Sequence, residues 1–275
     1  MVTPSLNLRP HLARSLDSVL ANLRPRDEYF VIDGASTDGS ADVIRRYADR
    51  LTGWVSEPDR GYADALRKGF ARATGDILCW INAGDLLLPG ALDAAREALE
   101  ATGADMIFGD DFYVDEDGKV ISFSRGYVRD LRAAMLYGGW TPLQDACFWR
   151  RSLYERVGGI DPELRYAADY DLFLRFAMTG RTTYVPKAFS AFRRHAGQRS
   201  IAGAPAYKGE RAAVRRRELA RAADSPAVRA LRTTWHSLAI RWRVRVAQRR
   251  WTRHDLRGTP IGALTCQAYW PPASG

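Results

Sequence analysis

The stretch Asp76-Ile77-Leu78-Cys79-Trp80-Ile81-Asn82-Ala83-Gly84-Asp85-Leu86-Leu87-Leu88-Pro89-Gly90 decides how the remainder of the chain is read. Ile77 to Ile81 are continuously apolar, the pattern of a strand covered on both faces, as in a parallel sheet. The run stops at Asn82-Ala83-Gly84-Asp85, which sets one carboxylate just past the strand's end. Pro89 suits the first turn of a helix through Ala91, Leu92, Ala95 and Leu99. Ligands of open α/β sheets bind in the crevice beyond the carboxyl ends of the strands, so Asp85 is a candidate site residue.

Upstream, the same strand-then-helix unit recurs. Met1 to Pro4 reads as the last part of a first strand, before a helix with Leu12, Leu16, Val19, Leu20 and Leu23 on one face. A second strand, Tyr29 to Asp33, leads to Gly34-Ala35-Ser36-Thr37-Asp38-Gly39, where Ser36 or Asp38 can cap the next helix. A third strand around Trp54-Val55-Ser56 runs into Glu57-Pro58-Asp59-Arg60-Gly61 and a helix over 62–73. Units repeating at roughly 25-residue spacing predict a mostly parallel sheet flanked by helices.

Downstream the alternation changes. Met106 to Phe108 is strand-like, and Phe112 to Val114 and Val120 to Phe123 flank the hairpin signal Asp115-Glu116-Asp117-Gly118. A helix near 130–136, a strand Cys147 to Trp149 and a helix beginning between Arg165 and Asp169 follow. Two short strands, over 182–185 and 188–192, end at Arg193-Arg194-His195.

A chain of 275 residues, 46% hydrophobic and 27% charged, can bury one large core. No apolar run approaches the roughly 20 residues that span a bilayer, and no signal-peptide pattern opens the chain. Cys79, Cys147 and Cys266 are odd in number and widely spaced, so neither a disulfide framework nor a zinc site is expected and the cytoplasm is the expected compartment. The net charge of +9 is unevenly placed: residues 201–275 hold 15 basic and 4 acidic groups, which leaves the first 200 residues at −2. A basic tail on a near-neutral body fits an anionic surface and not a nucleic-acid-binding fold. Within the tail, Val228, Leu231, Trp235, Leu238, Ala239, Trp242 and Val246 share one face of a helix over 228–250, ringed by Arg232, Arg241, Arg243, Arg245 and Arg250. Such a stripe serves either docking on the body or burial in an anionic membrane interface.

The segments VTPSLN, VIDGASTDGS, SEPDRGYADALRKGF, GDILCWINAGDLLLPGAL, FWRRSLYERVGGID, YAADYDLFLRFA and FRRHAGQRS stand in the order and spacing of family 2 glycosyltransferases. The chain resembles that family over nearly all of its first 200 residues. The resemblance implies a GT-A fold, a Rossmann-like, mostly parallel mixed sheet, over 1–200. Residues 1–100 then form the nucleotide-sugar half and 101–200 the acceptor half, with 201–275 a basic helical extension. It also implies inverting transfer from a nucleoside diphosphate sugar to a hydroxyl of a glycan or lipid-linked acceptor in surface polysaccharide synthesis, at the cytoplasmic face of the plasma membrane.

On the same resemblance, Asp85 matches the last acid of the metal motif and would bind Mn2+ or Mg2+ bridging to the diphosphate, with His195 completing the site; helix capping is its bland alternative. Asp33, Thr3 and Pro4 match the nucleoside-binding loops, though Asp33 can also be a simple turn residue. The first strand is nearly absent, so it is either very short or begins upstream. Asp64 and Lys68, one helical turn apart, border the donor in relatives or form a surface ion pair. Asn82 and Arg199 are further donor contacts, and Trp140 and Gln144 lie where relatives shape the acceptor pocket. Asp169 matches the catalytic base, with helix capping as its alternative; Asp171, about 200° round the helix, cannot share that role. The chain departs from the common pattern at Gly34, Arg67, Asn82 and Gly84. Those departures leave room for a non-catalytic nucleotide-sugar-binding relative.

Overall fold

The computed structural model describes residues 1–195, 198, 203–221, 230–236, 238–239 and 256–267. Strands β1 (Val2–Ser5), β2 (Phe30–Asp33) and β3 (Gly53–Ser56) form a parallel sheet in that order. Helices α1 (Arg9–Leu20), α2 (Ser40–Arg46) and α3 (Tyr62–Arg72) connect and follow them. A second, mixed sheet runs β4 (Ile77–Leu78), β8 (Cys147–Arg150), β6 (Met106–Val114), β9 (Thr182–Arg193), β5 (Leu86–Leu87), with β7 (Val120–Ser124) hydrogen-bonded to β6.

The apolar run quoted at the outset joins the two sheets. Ile77 and Leu78 pair antiparallel with Arg150 and Trp149 of β8. Beyond them the chain turns its hydrogen bonds to β1: Val2 N–H donates to the Cys79 carbonyl at 3.2 Å, Ile81 to Val2 at 3.1 Å and Ala83 to Pro4 at 3.2 Å. Period-2 alternation then divides the core. Leu78 and Trp80 face one cluster, with Leu66 and Phe70 of α3, Met135 of α5 (Leu131–Leu136) and Phe173 and Phe176 of α7 (Ala168–Thr179). Cys79 and Ile81 face the other, with Leu12 and Leu16 of α1, Ile44 of α2 and Leu92 and Leu99 of α4 (Ala91–Thr102). Helices therefore cover both faces, as the unbroken apolar run predicts. Trp80 stacks on Phe173 at 5.6 Å and meets Trp149 edge-on at 5.2 Å.

Three local expectations are corrected. Pro89 lies before α4 and not in its first turn, because Leu86 and Leu87 are drawn into pairing with Ala191 and Ser190 of β9. Gly90 at φ 81° then opens the helix, and the Asn22 side chain accepts the Ala91 N–H at 2.9 Å. Gly39, not Ser36 or Asp38, is the N-cap of α2; Asp38 instead accepts the N–H groups of Ser40 and Arg9, both at 2.9 Å, tying two loops together. The two short strands over 182–185 and 188–192 are one strand, β9, with a bulge opposite Asp110 that takes up the interruption at Pro186.

The last described stretch returns to the body. Val120 N–H donates to Thr259, Ile261 N–H to Gly118 and Cys266 N–H to Pro89, so residues 256–267 pack across the β6–β7 hairpin. Helix α8 (Ala204–Arg221) lies against α5 and α7. Of the predicted 228–250 stripe, Val228, Trp242, Val246 and the arginines from Arg241 onward lie outside the described residues.

Candidate active site

The parallel strands deliver their carboxyl ends to one edge of the molecule. Asp33 ends β2 fully buried, and its carboxylate accepts hydrogen bonds from Ser36 N–H at 2.9 Å, Ser36 Oγ at 2.5 Å and Ser56 Oγ at 2.6 Å. It thereby orders the loops after β2 and β3. Beside it, a Cβ on Gly34 would sit 2.6 Å from Asp59 Oδ2, so the Asp59 carboxylate occupies the space of a side chain at 34. Thr3 Oγ1 is 2.9 Å from the Tyr29 hydroxyl in the core, and Pro4 is buried on the same strand. Lys68 Nζ lies 2.8 Å from Glu57 and 3.9 Å from Asp64, and donates to the Pro58 carbonyl at 3.1 Å. Asp64 and Lys68 thus belong to an ion-pair group at the start of α3.

Gly84, at φ 119°, swings the chain so that Asp85 points inward. Asp85 is 5% exposed; its Oδ1 accepts the Arg193 N–H at 3.0 Å and its Oδ2 faces Asn82 Nδ2 at 3.3 Å. The Arg193 guanidinium donates to the Gly84 carbonyl at 2.9 Å and to Glu116 at 2.5 Å, which pins the acidic loop to the β6–β7 turn. His195, two residues on, has its ring 5.2 Å from that of His11 on α1. Burial, then the charges of Arg193 and His195, hold His11 below the usual imidazole range. Arg199 lies outside the described residues.

Two acids that no motif singled out complete this region. Asp111 on β6 and Asp145 before β8 are buried with Asp85, and Ser190 Oγ donates to Asp111 at 2.9 Å. Burial pushes the Asp145 carboxyl up to about 7. Asp85 and Asp111 are raised well above the carboxylate range, first by burial and then by the charge of Asp145. Their only sequence signal is position, Asp111 between the strand-like 106–108 and 112–114 and Asp145 two residues before the strand over 147–149. Among the described residues, no three His, Cys, Asp or Glu side chains are arranged to hold a metal ion.

Asp169 stands half-buried in the first turn of α7, where its Oδ1 accepts the Tyr170 N–H at 2.7 Å, while the N-cap position itself is Ala167. Asp171 is fully buried and paired with Arg175, at 2.8 Å through Nε, and with Arg217. Burial first, then Asp145, Asp169 and Asp111, raise the Cys147 thiol, so Asp169 and two of the buried acids lie within electrostatic reach of the same residue. Trp140 packs 6.3 Å from the Phe108 ring. Gln144 is buried with neither amide atom hydrogen-bonded among the described residues. A cavity of about 290 Å3 lined by Met1, Glu28, Asp76 and Arg96 lies at the opposite, amino end of the strands and holds none of these candidates.

The family model described as Glycosyl transferase family 2 matches residues 1–158. An uncharacterized glycosyltransferase of Mycobacterium tuberculosis is 33% identical over 183 residues, covering 65% of this chain and 68% of the relative. A PGL/p-HBAD biosynthesis glycosyltransferase of Mycobacterium bovis is 27% identical over 180 residues, covering 64% and 68%. S. aureus TarS in complex with UDP is similar in structure with a TM-score of 0.62 at 16% identity, covering 84% of this chain and 68% of that one. The chain spans 36% of TarS in its longer crystal structure. The mannosyltransferase PcManGT from Pyrobaculum calidifontis, in complex with GDP-Man and Mn2+, has a TM-score of 0.61 at 23% identity, covering 86% and 68%.

Proposed function

The chain belongs to glycosyl transferase family 2 and has the GT-A fold, and on that premise we propose that it is an inverting transferase. It moves a sugar from a nucleoside diphosphate donor to a hydroxyl of a glycan or lipid-linked acceptor in surface polysaccharide synthesis. The observation that carries the reading is that Asp85 is buried at the carboxyl end of the joining strand within reach of the charge of Asp145, and that Asp145 and Asp169, at the start of α7, both act on the Cys147 thiol. One carboxylate then faces the leaving group and the other the nucleophile. Residues 1–100 hold the donor, 101–200 the acceptor, and 201–275 form a basic extension.

The acceptor hydroxyl oxygen attacks the anomeric carbon as the bond from that carbon to the diphosphate oxygen breaks on the opposite face. Asp169 takes the hydroxyl proton as bonding proceeds. The negative charge released on the diphosphate collects beside Asp85 and His195. A divalent cation, Mn2+ or Mg2+, would neutralise that charge as a Lewis acid, and Asp85 Oδ2 and the His195 imidazole are the residues that would hold it. One hard oxygen and one imidazole are too few for a cation alone, so such an ion would be held only together with the bound donor. Thr3, Pro4 and Asp33 shape the nucleoside loops, with Asn82, Asp64, Lys68 and Arg199 along the donor and Trp140 and Gln144 toward the acceptor.

A thermal-shift screen of nucleotide sugars with and without Mn2+ tests the donor half. A ligand at 100 times its dissociation constant stabilises by about 2.7 kcal/mol, so the true donor raises the melting temperature by several degrees. We expect that rise to need Mn2+ and to vanish in Asp85→Ala; a rise of equal size without metal removes Asp85 from this role. Binding without turnover would instead favour a non-catalytic nucleotide-sugar-binding relative, a reading suggested by Gly34, Arg67, Asn82 and Gly84.

We also place the protein at the cytoplasmic face of an anionic membrane, with no role for nucleic acid. Leu231, Trp235 and Leu238 follow one another at helical spacing and are 72%, 68% and 59% exposed. From the same segment Arg232 donates to the Tyr137 hydroxyl at 3.0 Å and His236 stacks on its ring at 5.8 Å. The polar side faces the body and the apolar side faces away, which favours the interface over docking. No helix among the described residues is long and apolar enough to cross a membrane. Burying a large apolar side chain contributes about 1.5–3 kcal/mol, so Leu231→Ser with Trp235→Ser is expected to weaken sedimentation with phosphatidylserine vesicles at least tenfold. Undiminished sedimentation of the double variant would sink the membrane assignment.

A further inference from the structure

Helix α7 satisfies one first-turn N–H itself, that of Tyr170 on the Asp169 carboxylate, but the approach to the helix has no acceptor of its own. The residues leading into it, Arg165-Tyr166-Ala167, offer none of the short oxygen-bearing side chains that usually satisfy the first N–H groups of a helix. The acceptor comes from elsewhere. Glu210, on α8, accepts the N–H of Arg165 at 3.1 Å through one oxygen and those of Tyr166 and Ala167 at 2.8 and 2.9 Å through the other. An ionised carboxylate suits this place twice over, because its hydrogen bonds are charge-assisted and it meets the positive end of the helix dipole.

The rest of α8 holds that carboxylate in register. Arg215 donates to the carbonyls of Leu136 and Tyr137, both at 2.6 Å, at the end of α5. Arg217 pairs with buried Asp171, and Arg211 lies 5.6 Å over the Tyr170 ring. Val214 is buried between these contacts. The Tyr207 phenol, also on α8, is raised by burial and then by the charge of Asp169. Helix α8 thus touches α7 on both sides of Asp169, from a part of the chain beyond the 158 residues that match the family model.

We propose that Glu210 is a positioning residue for glycosyl transfer, fixing the start of α7 so that Asp169 stands where the acceptor hydroxyl needs it. The inference rests on Asp169 as the base. It adds an electrostatic role, since the Glu210 charge, bonded two residues before Asp169, disfavours a second negative charge there and makes Asp169 a stronger base.

The test compares Glu210→Gln, Glu210→Asp and Arg216→Gln, the last on the exposed side of α8. For Glu210→Gln, kcat is expected to fall at least tenfold with donor KM within about twofold, because a small displacement of a catalytic group is costly in rate. The acidic limb of its kcat–pH profile is expected to move to lower pH. Glu210→Asp keeps the charge, so its limb stays in place and part of kcat returns; it carries the test should the glutamine variant not fold. Arg216→Gln is expected to match wild type. Wild-type kcat in Glu210→Gln overturns the proposal, as does a loss confined to melting temperature and KM with the limb unmoved. Asp169→Asn is measured alongside: if it too leaves kcat intact, the base assignment fails, whereas a fall in that variant alone removes only the role of Glu210.

Discussion

Asp169→Asn is expected to lower kcat by about 10²–10⁴-fold while leaving donor binding close to wild type. Asparagine keeps the shape of the side chain and can still accept the Tyr170 N–H, which Asp169 Oδ1 does at 2.7 Å. It cannot take a proton at neutral pH. Asp169 lies in the first turn of α7 and Asp85 at the end of the joining strand, so the change should not reach the donor's diphosphate. The expected signature is therefore a fall in kcat without a matching rise in donor KM, the mark of an interaction made in the transition state. Asp171→Asn is a poor substitute for this experiment. Asp171 is buried between Arg175 and Arg217, and removing its charge breaks two ion pairs, one of which holds α7 to α8. A kcat within threefold of wild type for Asp169→Asn would move the base elsewhere.

Asp145→Asn is expected to stabilise the protein, and to do so only above acidic pH. The Asp145 carboxyl is pushed up to about 7 by burial, against an unfolded value near 3.9. The sign follows from proton counting. Between those two values the folded chain holds a proton that the unfolded chain has released, so stability falls as pH rises through this window. Below pH 4 both states are protonated and the asparagine offers no advantage. Above pH 7 the advantage is complete, with a ceiling of roughly 4 kcal/mol from three pKa units at 1.36 kcal/mol each. Relaxation and the neighbouring acids reduce it, and a gain of about 1–3 kcal/mol corresponds to several degrees in melting temperature for a domain of this size. Asp110, likewise raised to about 7 by burial, retains part of the same pH dependence in the variant. Melting curves of both proteins at pH 4 and pH 8 decide the matter, and an equal difference at the two pH values refutes it. A stabilised variant with reduced donor binding would place the cost of these buried acids on the function they serve.

The strand ends that frame the candidate site were legible because their signals are local. The unbroken run Ile77 to Ile81 announces two covered faces, and Asp85 stands past its end whatever the rest of the chain does. Asp33 likewise stands where a strand ends, whereas Asp169 was singled out by the resemblance to family 2 glycosyltransferases and not by a local signal. For Asp169 the N-cap position went to Ala167, yet its carboxylate still accepts the first-turn N–H of Tyr170. For Asp64 and Lys68 the ion-pair alternative is what the structure displays, through Glu57.

The residues that went unseen are those whose meaning lies in a distant partner. Asp111 and Asp145 are ordinary aspartates until β6 and β8 lie side by side, with Phe108 opposite Cys147. His11 meets His195 only because α1 packs against β5, which is paired with the end of β9. Gly34 reads as a missing acid, yet Asp59, from the turn after β3, fills its space. The sequence by itself determined the alternation of strands and helices, the two covered sheet faces and the strand ends at which Asp33 and Asp85 stand, because period, caps and turns are set by neighbours within a few residues. Only the tertiary structure decided which carboxylates share one buried environment, that Glu210 ties down the approach to α7, and that Trp235 turns away from the body. Those outcomes depend on register between segments far apart in the chain, and no local pattern encodes that register.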